Sequence, residues 1–325
     1  MSTTMRAVVL DAPGPPDALV IRDLPIPVPG PGWVLIRVRA FGLNRSELQT
    51  RMGFAAEVTF PRVLGIEATG TVESCPGGEF TAGQQVVAMM GGMGRRYDGG
   101  YAEYTCVPVA QVIEFHSDLP WEVVGAVPEM LQTSNGSLTV GLDVRAGQSL
   151  LIRGGTSSIG LTTASLAKQR GLTVLATTRS PHKADALTRA GVDHVLVDDG
   201  DVATQVRALL PDGVDAALEL VGTPTLPDTL RATRVHGTVC FTGSLSNVWT
   251  IPDFYPGDLP NGVRLTSYGG DASDLPPQVL QGFLDAVAAG EAVVTIDHVY
   301  AFDEIVAATE AMASGHTAGK LVVLT

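Results

Sequence analysis

The residues Gly154-Gly155-Thr156-Ser157-Ser158-Ile159-Gly160 stand between a short apolar run, Ser149–Arg153, and a stretch with helical spacing. A strand, a tight glycine turn and a helix start, in that order, suit a pyrophosphate. Gly155 permits the turn and Gly160 lets helix and strand approach closely. The helix N-terminus adds unpaired amides and the positive end of its dipole. Ser157 takes the middle glycine place of G-x-G-x-x-G, where it narrows the approach of a diphosphate but adds a hydroxyl donor. Gly155, Thr156, Ser157, Ser158, Ile159 and Gly160 are the candidate phosphate contacts. The same pattern also occurs as a plain strand-to-helix turn, so the next strand end carries much of the argument.

There, an NAD-binding unit usually has Asp or Glu for the ribose 2′-hydroxyl. This chain reads Ala176-Thr177-Thr178-Arg179-Ser180-Pro181-His182-Lys183. The acid is missing. Arg179 and Lys183 attract a 2′-phosphate that a carboxylate would repel, and Thr178 and Ser180 supply hydroxyl donors. The residues point to NADPH rather than NADH.

Other chemistries find little support. The six histidines are scattered, and no pair has metal-ligand spacing. There is no H-E-x-x-H, no Ser/His/Asp set and no redox C-x-x-C. The three cysteines, Cys75, Cys106 and Cys240, lie far apart and read as small buried hydrophobes.

These residues need elements to position them. The first third reads as β: Met5–Leu10, Trp33–Ala40, Ala68–Ser74, Gly83–Met89 and Gly100–Val107 are expected strands, with one short helix near Ser46–Met52. In Trp33–Ala40, Ile36, Val38 and Ala40 fall on one face and Arg37 and Arg39 on the other. Helical spacing covers Glu122–Leu142, with Pro128 as a kink or restart. Strands and helices then alternate: strand Ser149–Arg153, helix Ile159–Arg170, strand Leu172–Thr177, helix Pro181–Ala190, and strands His194–Val197, Ala216–Glu219, Gly237–Thr242 and Gly262–Ser267. Such alternation predicts an α/β fold with a doubly wound parallel sheet. The tail carries helices near Pro277–Ala289 and Phe302–Met312 and strands at Val293–Tyr300 and Lys320–Leu324. It is expected to return to the first domain. The expected division is 1–122 with 269–325 as one domain and 123–268 as the dinucleotide-binding domain, with a cleft between them.

The 325 residues suffice for two cores, and the net charge of -13 argues against a nucleic-acid partner. The N-terminus lacks the apolar stretch of a signal peptide, and no apolar run reaches the ~18 residues of a membrane span. A reduced cytoplasmic protein, not bound to membranes, is expected.

Together the residues resemble the medium-chain dehydrogenase/reductase superfamily, in its zinc-free quinone oxidoreductase-like branch. The resemblance spans nearly the whole chain. It rests on Gly42-Leu43-Asn44-Arg45-Ser46-Glu47-Leu48, Leu64-Gly65-Ile66-Glu67-Ala68-Thr69-Gly70, Gly99-Gly100-Tyr101-Ala102-Glu103-Tyr104, the Gly154–Gly160 turn, Glu219-Leu220-Val221-Gly222 and Ala318-Gly319-Lys320. It implies a GroES-like β-barrel domain beside a Rossmann domain, and a homodimer. The zinc alcohol dehydrogenases carry a ligating Cys in the segment holding Asn44 and a ligating His just before the glutamate that matches Glu67. Here the places hold Asn44 and Ile66, so no metal is expected.

The resemblance further implies that Asn44 lies near the nicotinamide and substrate, where its amide holds the carboxamide or donates to a developing oxyanion. Asn44 also reads as the cap of a helix start, and the two roles are compatible. Thr133 matches a threonine that touches the nicotinamide ribose; it also reads as a helix-interior threonine. Val221 and Gly243-Ser244-Leu245 match strand ends on the nicotinamide side. Glu67 is expected to pair a nearby cation, Lys320 to be a solvated strand residue, and Gly91–Gly100 to be a mobile loop or a long hairpin.

The implied activity is metal-free hydride transfer from NADPH to a small quinone or conjugated enone, with the proton from solvent. The alternatives are a 2-enoyl-thioester reductase and an NADPH-binding redox sensor with little catalysis. The thioester reductases use a tyrosine donor that Arg51–Val58 lacks, and Gln49 replaces a tyrosine common among quinone reductases.

Overall fold

A computed structural model describes residues 3–325. The chain divides into two compact units, one made of the residues up to Gln132 together with Asp271–Thr325, the other of Thr133–Gly270.

The first unit is mainly antiparallel β. Its strands are β1 (Thr4–Leu10), β2 (Leu19–Pro25), β3 (Trp33–Gly42), β4 (Arg62–Val63), β5 (Glu67–Ser74), β6 (Gln85–Met89), β7 (Tyr104–Pro108) and β8 (Val112–Glu114). Helices α1 (Arg45–Arg51) and α2 (Trp121–Gly125) interrupt and follow them, and α3 (Pro128–Gly136) leads into the second unit. Alternation in β3 works as its pattern predicts: Ile36, Val38 and Ala40 are buried, and Arg37 is exposed. Strand β2 alternates only from Leu19 to Arg22, with Leu19 and Ile21 inward and Val20 and Arg22 outward, and pairs with β1 from Thr4↔Pro25 to Leu10↔Leu19 at the edge of its sheet. The strand expected from Gly100 begins only at Tyr104. Gly100 lies so close to β5 that a Cβ on it would stand 2.1 Å from the Glu67 carbonyl oxygen.

The second unit holds a six-stranded parallel sheet of β9 (Ser149–Arg153), β10 (Thr173–Thr178), β11 (His194–Val197), β12 (Val214–Glu219), β13 (Thr233–Phe241) and β14 (Arg264–Ser267). The order β11-β10-β9-β12-β13-β14 is doubly wound and reverses between β9 and β12. The crossovers contain α4 (Ser158–Gln169), α5 (Ala184–Arg189), α6 (Val202–Leu209) and α7 (Leu226–Ala232). The helix expected from Pro181 opens as a tighter turn over Pro181–Lys183 before α5. Strand β9 is buried at every position, as a strand covered on both faces must be.

The tail, α8 (Pro277–Ala288), β15 (Ile296–Ala301), α9 (Ile305–Ser314) and β16 (Lys320–Leu324), belongs to the first unit. Strand β16 pairs antiparallel with β3, with Val322 opposite Gly42, and β15 runs parallel beside β16. Phe302, Ile305, Ala308 and Met312 join the first unit's core around Phe41 and Leu48. Of the cysteines, only Cys240 is fully buried; Cys75 and Cys106 are half-buried, which corrects the expectation for those two. No described helix is long and apolar enough to cross a membrane.

Candidate functional site

The glycine turn leaves β9 and enters α4, with a change of roles among its residues. Gly154, not Gly155, takes the left-handed backbone, at φ 86°. Gly155 supplies the close approach to β10: a Cβ there would meet the Ala176 Cβ at 2.8 Å and the Thr177 carbonyl oxygen at 3.1 Å. The Gly154 N–H donates to Thr177 Oγ1 and the Gly155 N–H to the Thr177 carbonyl, each at 3.0 Å. Ser157 caps α4, accepting from the Gly160 N–H at 3.1 Å and donating to the Gly154 carbonyl at 2.9 Å. Its hydroxyl hydrogen therefore holds the turn together and is not the free donor the sequence suggested. Ser158 and Ile159 head the helix, so their N–H groups have no partner within it.

A Cβ on Gly160 would stand 2.6 and 2.7 Å from the carbonyl oxygens of Gly155 and Gly154. Backbone cannot yield there as a side chain would. Gly160→Ala is expected to lower stability by about 2 kcal/mol and weaken dinucleotide binding at least about tenfold. A cofactor fluorescence titration beside a denaturant melt measures both, and unaltered affinity would overturn the reading of this turn.

At the end of β10, Thr178 Oγ1 donates to the Ser180 carbonyl at 3.0 Å and accepts from the Ser180 N–H at 3.1 Å. This closed turn uses the Thr178 hydrogen and projects the next residues. Arg179 is exposed, and among the described residues no carboxylate lies within ion-pair range of it. Lys183 follows one turn later, half-buried.

On the other side of the switch point, Glu219 shapes the end of β12. Its Oε1 accepts from the N–H groups of Val221 and Gly222 at 2.7 and 3.0 Å and from Thr225 Oγ1 at 3.0 Å, and its Oε2 accepts from Thr229 Oγ1 at 2.6 Å. Burial pushes the carboxyl above its usual range, against these four donors. The turn so held meets the next strand end: the Leu245 N–H donates to the Leu220 carbonyl at 2.9 Å and Ser246 N–H to the Val221 carbonyl at 2.8 Å. Gly154 sits where a Cβ would touch Leu245 and Val221 side chains at 3.0 and 3.3 Å. The structure thus gathers Gly154, Val221 and Gly243-Ser244-Leu245 at one end of the sheet. Thr133 is buried in α3. The next residue, Ser134, donates to the Ile159 carbonyl at 3.2 Å, which lays this part of α3 on the first turn of α4.

A buried network beneath the turn escaped the sequence reading. Arg153, fully buried at the end of β9, donates to both oxygens of Asp198 at 2.6 and 2.8 Å and to Asp228 at 2.6 Å. Asp228 also accepts from the N–H groups that open α6, those of Val202 and Ala203, at 2.9 and 3.3 Å.

The first unit carries a second polar cluster, around Asn44. Asn44 caps α1, and its backbone N–H donates to Glu47 Oε2 at 2.9 Å. Its side-chain Nδ2 donates to Glu67 Oε1 at 3.0 Å, with longer contacts to Glu47 Oε1 at 3.3 Å and the Gly42 carbonyl at 3.5 Å. Its Oδ1 accepts from Lys320 Nζ at 2.5 Å. Lys320 is 1 % exposed, which corrects the expectation of a solvated strand residue. Its ammonium pairs Glu67 at 2.7 Å and reaches Glu129 at 3.4 Å. Burial works against that charge, but Glu67 and Glu129 outweigh it and hold the Lys320 pKa above its ordinary value. Glu47, also buried, accepts from the Ile66 N–H at 2.9 Å, and burial pushes its pKa up to about 7. The Tyr101 hydroxyl has no hydrogen-bond partner and lies near Glu47 and Glu67. The 91–100 segment is a succession of turns rather than a long hairpin. Met93 is fully buried, Gly94 packs on Gly65, and Arg95 donates to Ser46 Oγ at 2.6 Å. Among the described residues no group of three His, Cys, Asp or Glu side chains is arranged to hold a metal ion.

Comparison with known proteins agrees with this architecture. Residues 30–117 match the alcohol dehydrogenase GroES-like domain and residues 190–323 a domain described as zinc-binding dehydrogenase. A 2-haloacrylate reductase of a Burkholderia species is 27% identical over 98% of this chain and 99% of its own length. A probable quinone oxidoreductase of Leishmania amazonensis is 27% identical over 94% of this chain and 92% of its own length. A mycobacterial protein solved in complex with NADPH superimposes with a TM-score of 0.86 at 26% identity, covering 99% of this chain and all, 100%, of the other. The chain therefore belongs to the medium-chain dehydrogenase/reductase superfamily of oxidoreductases, in its quinone oxidoreductase-like branch.

Proposed function

We propose that the protein is a cytoplasmic NADPH-dependent reductase of small quinones or conjugated enones that works without a metal. The observation that carries the cofactor assignment is the exposed guanidinium of Arg179 at the strand end where a ribose-binding acid is missing. The dinucleotide fits the residues present. Gly154, Gly155 and Gly160 let the turn pack tightly between strand end and helix start, and the N–H groups of Ser158 and Ile159 at that helix start have no partner within the helix. In this reading Thr156 to Gly160 hold the pyrophosphate, Arg179 and Lys183 the 2′-phosphate, and Thr133, Val221 and Gly243 to Leu245 the nicotinamide end. Bound NADPH supplies the hydride. Asn44 offers an amide hydrogen to the carboxamide or to the oxyanion that forms on the acceptor, and water returns the proton.

Zinc does not fit the Asn44 cluster. The two ligand positions of the zinc enzymes hold Asn44 and Ile66, and the Asn44 oxygen already binds an ammonium that would repel a dication. A quinone or enone is electrophilic enough to accept hydride without a Lewis acid, whereas an alcohol needs one to ionise. Matches to a 2-haloacrylate reductase and to an acryloyl-coenzyme A reductase, the latter 25% identical over 74% of this chain, favour a conjugated alkene as the second acceptor class.

The test follows cofactor absorbance after chelator treatment, with para-benzoquinone, an enone and an acryloyl thioester, using NADPH and NADH in parallel. Rapid loss with NADPH alone supports the reading. Tight cofactor binding without turnover of any acceptor points instead to a sensor. Arg179→Asp is expected to cut the NADPH-over-NADH preference about 10–100-fold, since it replaces a charge-assisted contact with a repulsion. Equal affinities in the parent protein would sink the NADPH assignment.

A further inference from the structure

We propose that Lys320 is a positioning residue that locks the Asn44 side-chain amide in one orientation, with its nitrogen available to a bound oxygen. The proposal rests on the reading of Asn44 given above and adds what aims it.

An asparagine amide has an acceptor and a donor of nearly equal shape, so its neighbours decide which way it faces. Here Oδ1 meets the Lys320 ammonium at 2.5 Å and Nδ2 meets the Glu67 carboxylate at 3.0 Å. A flip would set N–H against ammonium and oxygen against carboxylate, losing two charge-assisted bonds at once. One Nδ2 hydrogen is taken by Glu67. The other makes the weaker bonds, to Glu47 Oε1 at 3.3 Å and the Gly42 carbonyl at 3.5 Å, so it is the hydrogen that a bound carbonyl oxygen would draw away.

The chain makes room for this lysine. Strand β16 delivers Lys320 beside the end of β3, where Gly42 has no side chain. A Cβ on Gly42 would lie 2.2 Å from Lys320 Cε and 2.5 Å from Glu67 Oε1. A lysine kept only to pair Glu67 has no need of the Asn44 oxygen. This one gives that oxygen its shortest bond, 2.5 Å against 2.7 Å to Glu67 and 3.4 Å to Glu129.

The experiment separates positioning from stabilisation. Lys320→Met alone leaves Glu67 buried and unpaired, and is expected to unfold readily. Lys320→Met with Glu67→Gln removes the closer pair together and is expected to restore most of the denaturation midpoint, the remainder reflecting the lost Lys320 contact to Glu129. Lys320→Gln with Glu67→Gln is equally neutral but keeps a donor for Asn44. For the Met pair we expect kcat with para-benzoquinone to fall at least about tenfold, with cofactor Kd changed less than about threefold. The Gln pair should recover part of that loss. A second readout does not depend on turnover: the Asn44 side-chain amide resonances, identified by their loss in Asn44→Ala. They should exchange slowly with water in the parent and at least about tenfold faster in the Met pair. Equal kcat and equal exchange in parent and Met pair would overturn the proposal. If the parent reduces no acceptor, the proposed activity fails, and amide exchange alone still decides the role of Lys320. If neither pair folds, amide exchange in the parent decides: rapid exchange of both Asn44 amide hydrogens overturns the lock.

Discussion

Replacing Arg153 with methionine is expected to cost about 3–5 kcal/mol of stability, the range for removing one partner of a buried ion pair. Methionine matches the stem of arginine but brings no charge. Asp198 would lose both of its guanidinium bonds, and Asp228 one of its partners, with both side chains largely shielded from water. Asp228 keeps the Val202 and Ala203 amides and the exposed Arg231 at 3.0 Å, so Asp198 bears most of the effect. Arg153 immediately precedes Gly154, so the loss should also loosen the glycine turn and weaken cofactor binding. Urea denaturation followed by fluorescence measures the first effect and a cofactor titration the second. Adding Asp198→Asn should recover part of the stability. A loss under about 1 kcal/mol would show that the network contributes little beyond what water can replace.

A second large effect concerns pH. Burial raises Glu47 from 4.5 to about 7, so the folded protein keeps a proton that the unfolded chain releases. The native state binds more protons between those values, and stability must therefore fall as pH rises through that window. At about 1.4 kcal/mol per tenfold, the total is about 3 kcal/mol between pH 4.5 and 7, with little further change from this group above it. The groups around Glu47 are Glu67, whose charge raises its pKa further, the Asn44 amide, which lowers it, Lys320 and the Tyr101 hydroxyl. Glu47→Gln cannot titrate. It offers one acceptor to three donors, the backbone N–H groups of Asn44 and Ile66 and Asn44 Nδ2, so it should be less stable than the parent at pH 5 by about 1–2 kcal/mol. The gap should shrink or reverse by pH 8. Denaturation curves at four pH values, parent against variant, isolate Glu47 from every other group. Parallel stability profiles would refute the shifted proton.

Gly160→Ala and Arg179→Asp probe what the sequence exposes directly, a backbone turn and a surface charge. Arg153 and Glu47 probe what it conceals. The alternation of apolar strands and helices from Ser149 to Ser267 is a local pattern, so the doubly wound sheet was legible from it. The glycine turn was legible too, because a strand, glycines and a helix cap are neighbours in sequence. Even there, only packing showed that Gly154 takes the left-handed backbone and that Ser157 caps the helix.

Charge was where the sequence said least. Arg153 and Lys320 stand in strands and look like solvated cations. Their partners lie far along the chain: Asp198 is 45 residues from Arg153, and Asn44 is 276 from Lys320. Strand β2 was hidden because its apolar alternation lapses after Arg22, at Asp23. By itself, then, the sequence determined most of the elements and the glycine turn, since backbone propensity and side-chain periodicity act over a few residues. Only the tertiary structure decided which charges are buried and which way the Asn44 amide faces. Those depend on the cost of removing each group from water, and that cost is set by whatever distant segments fold around it.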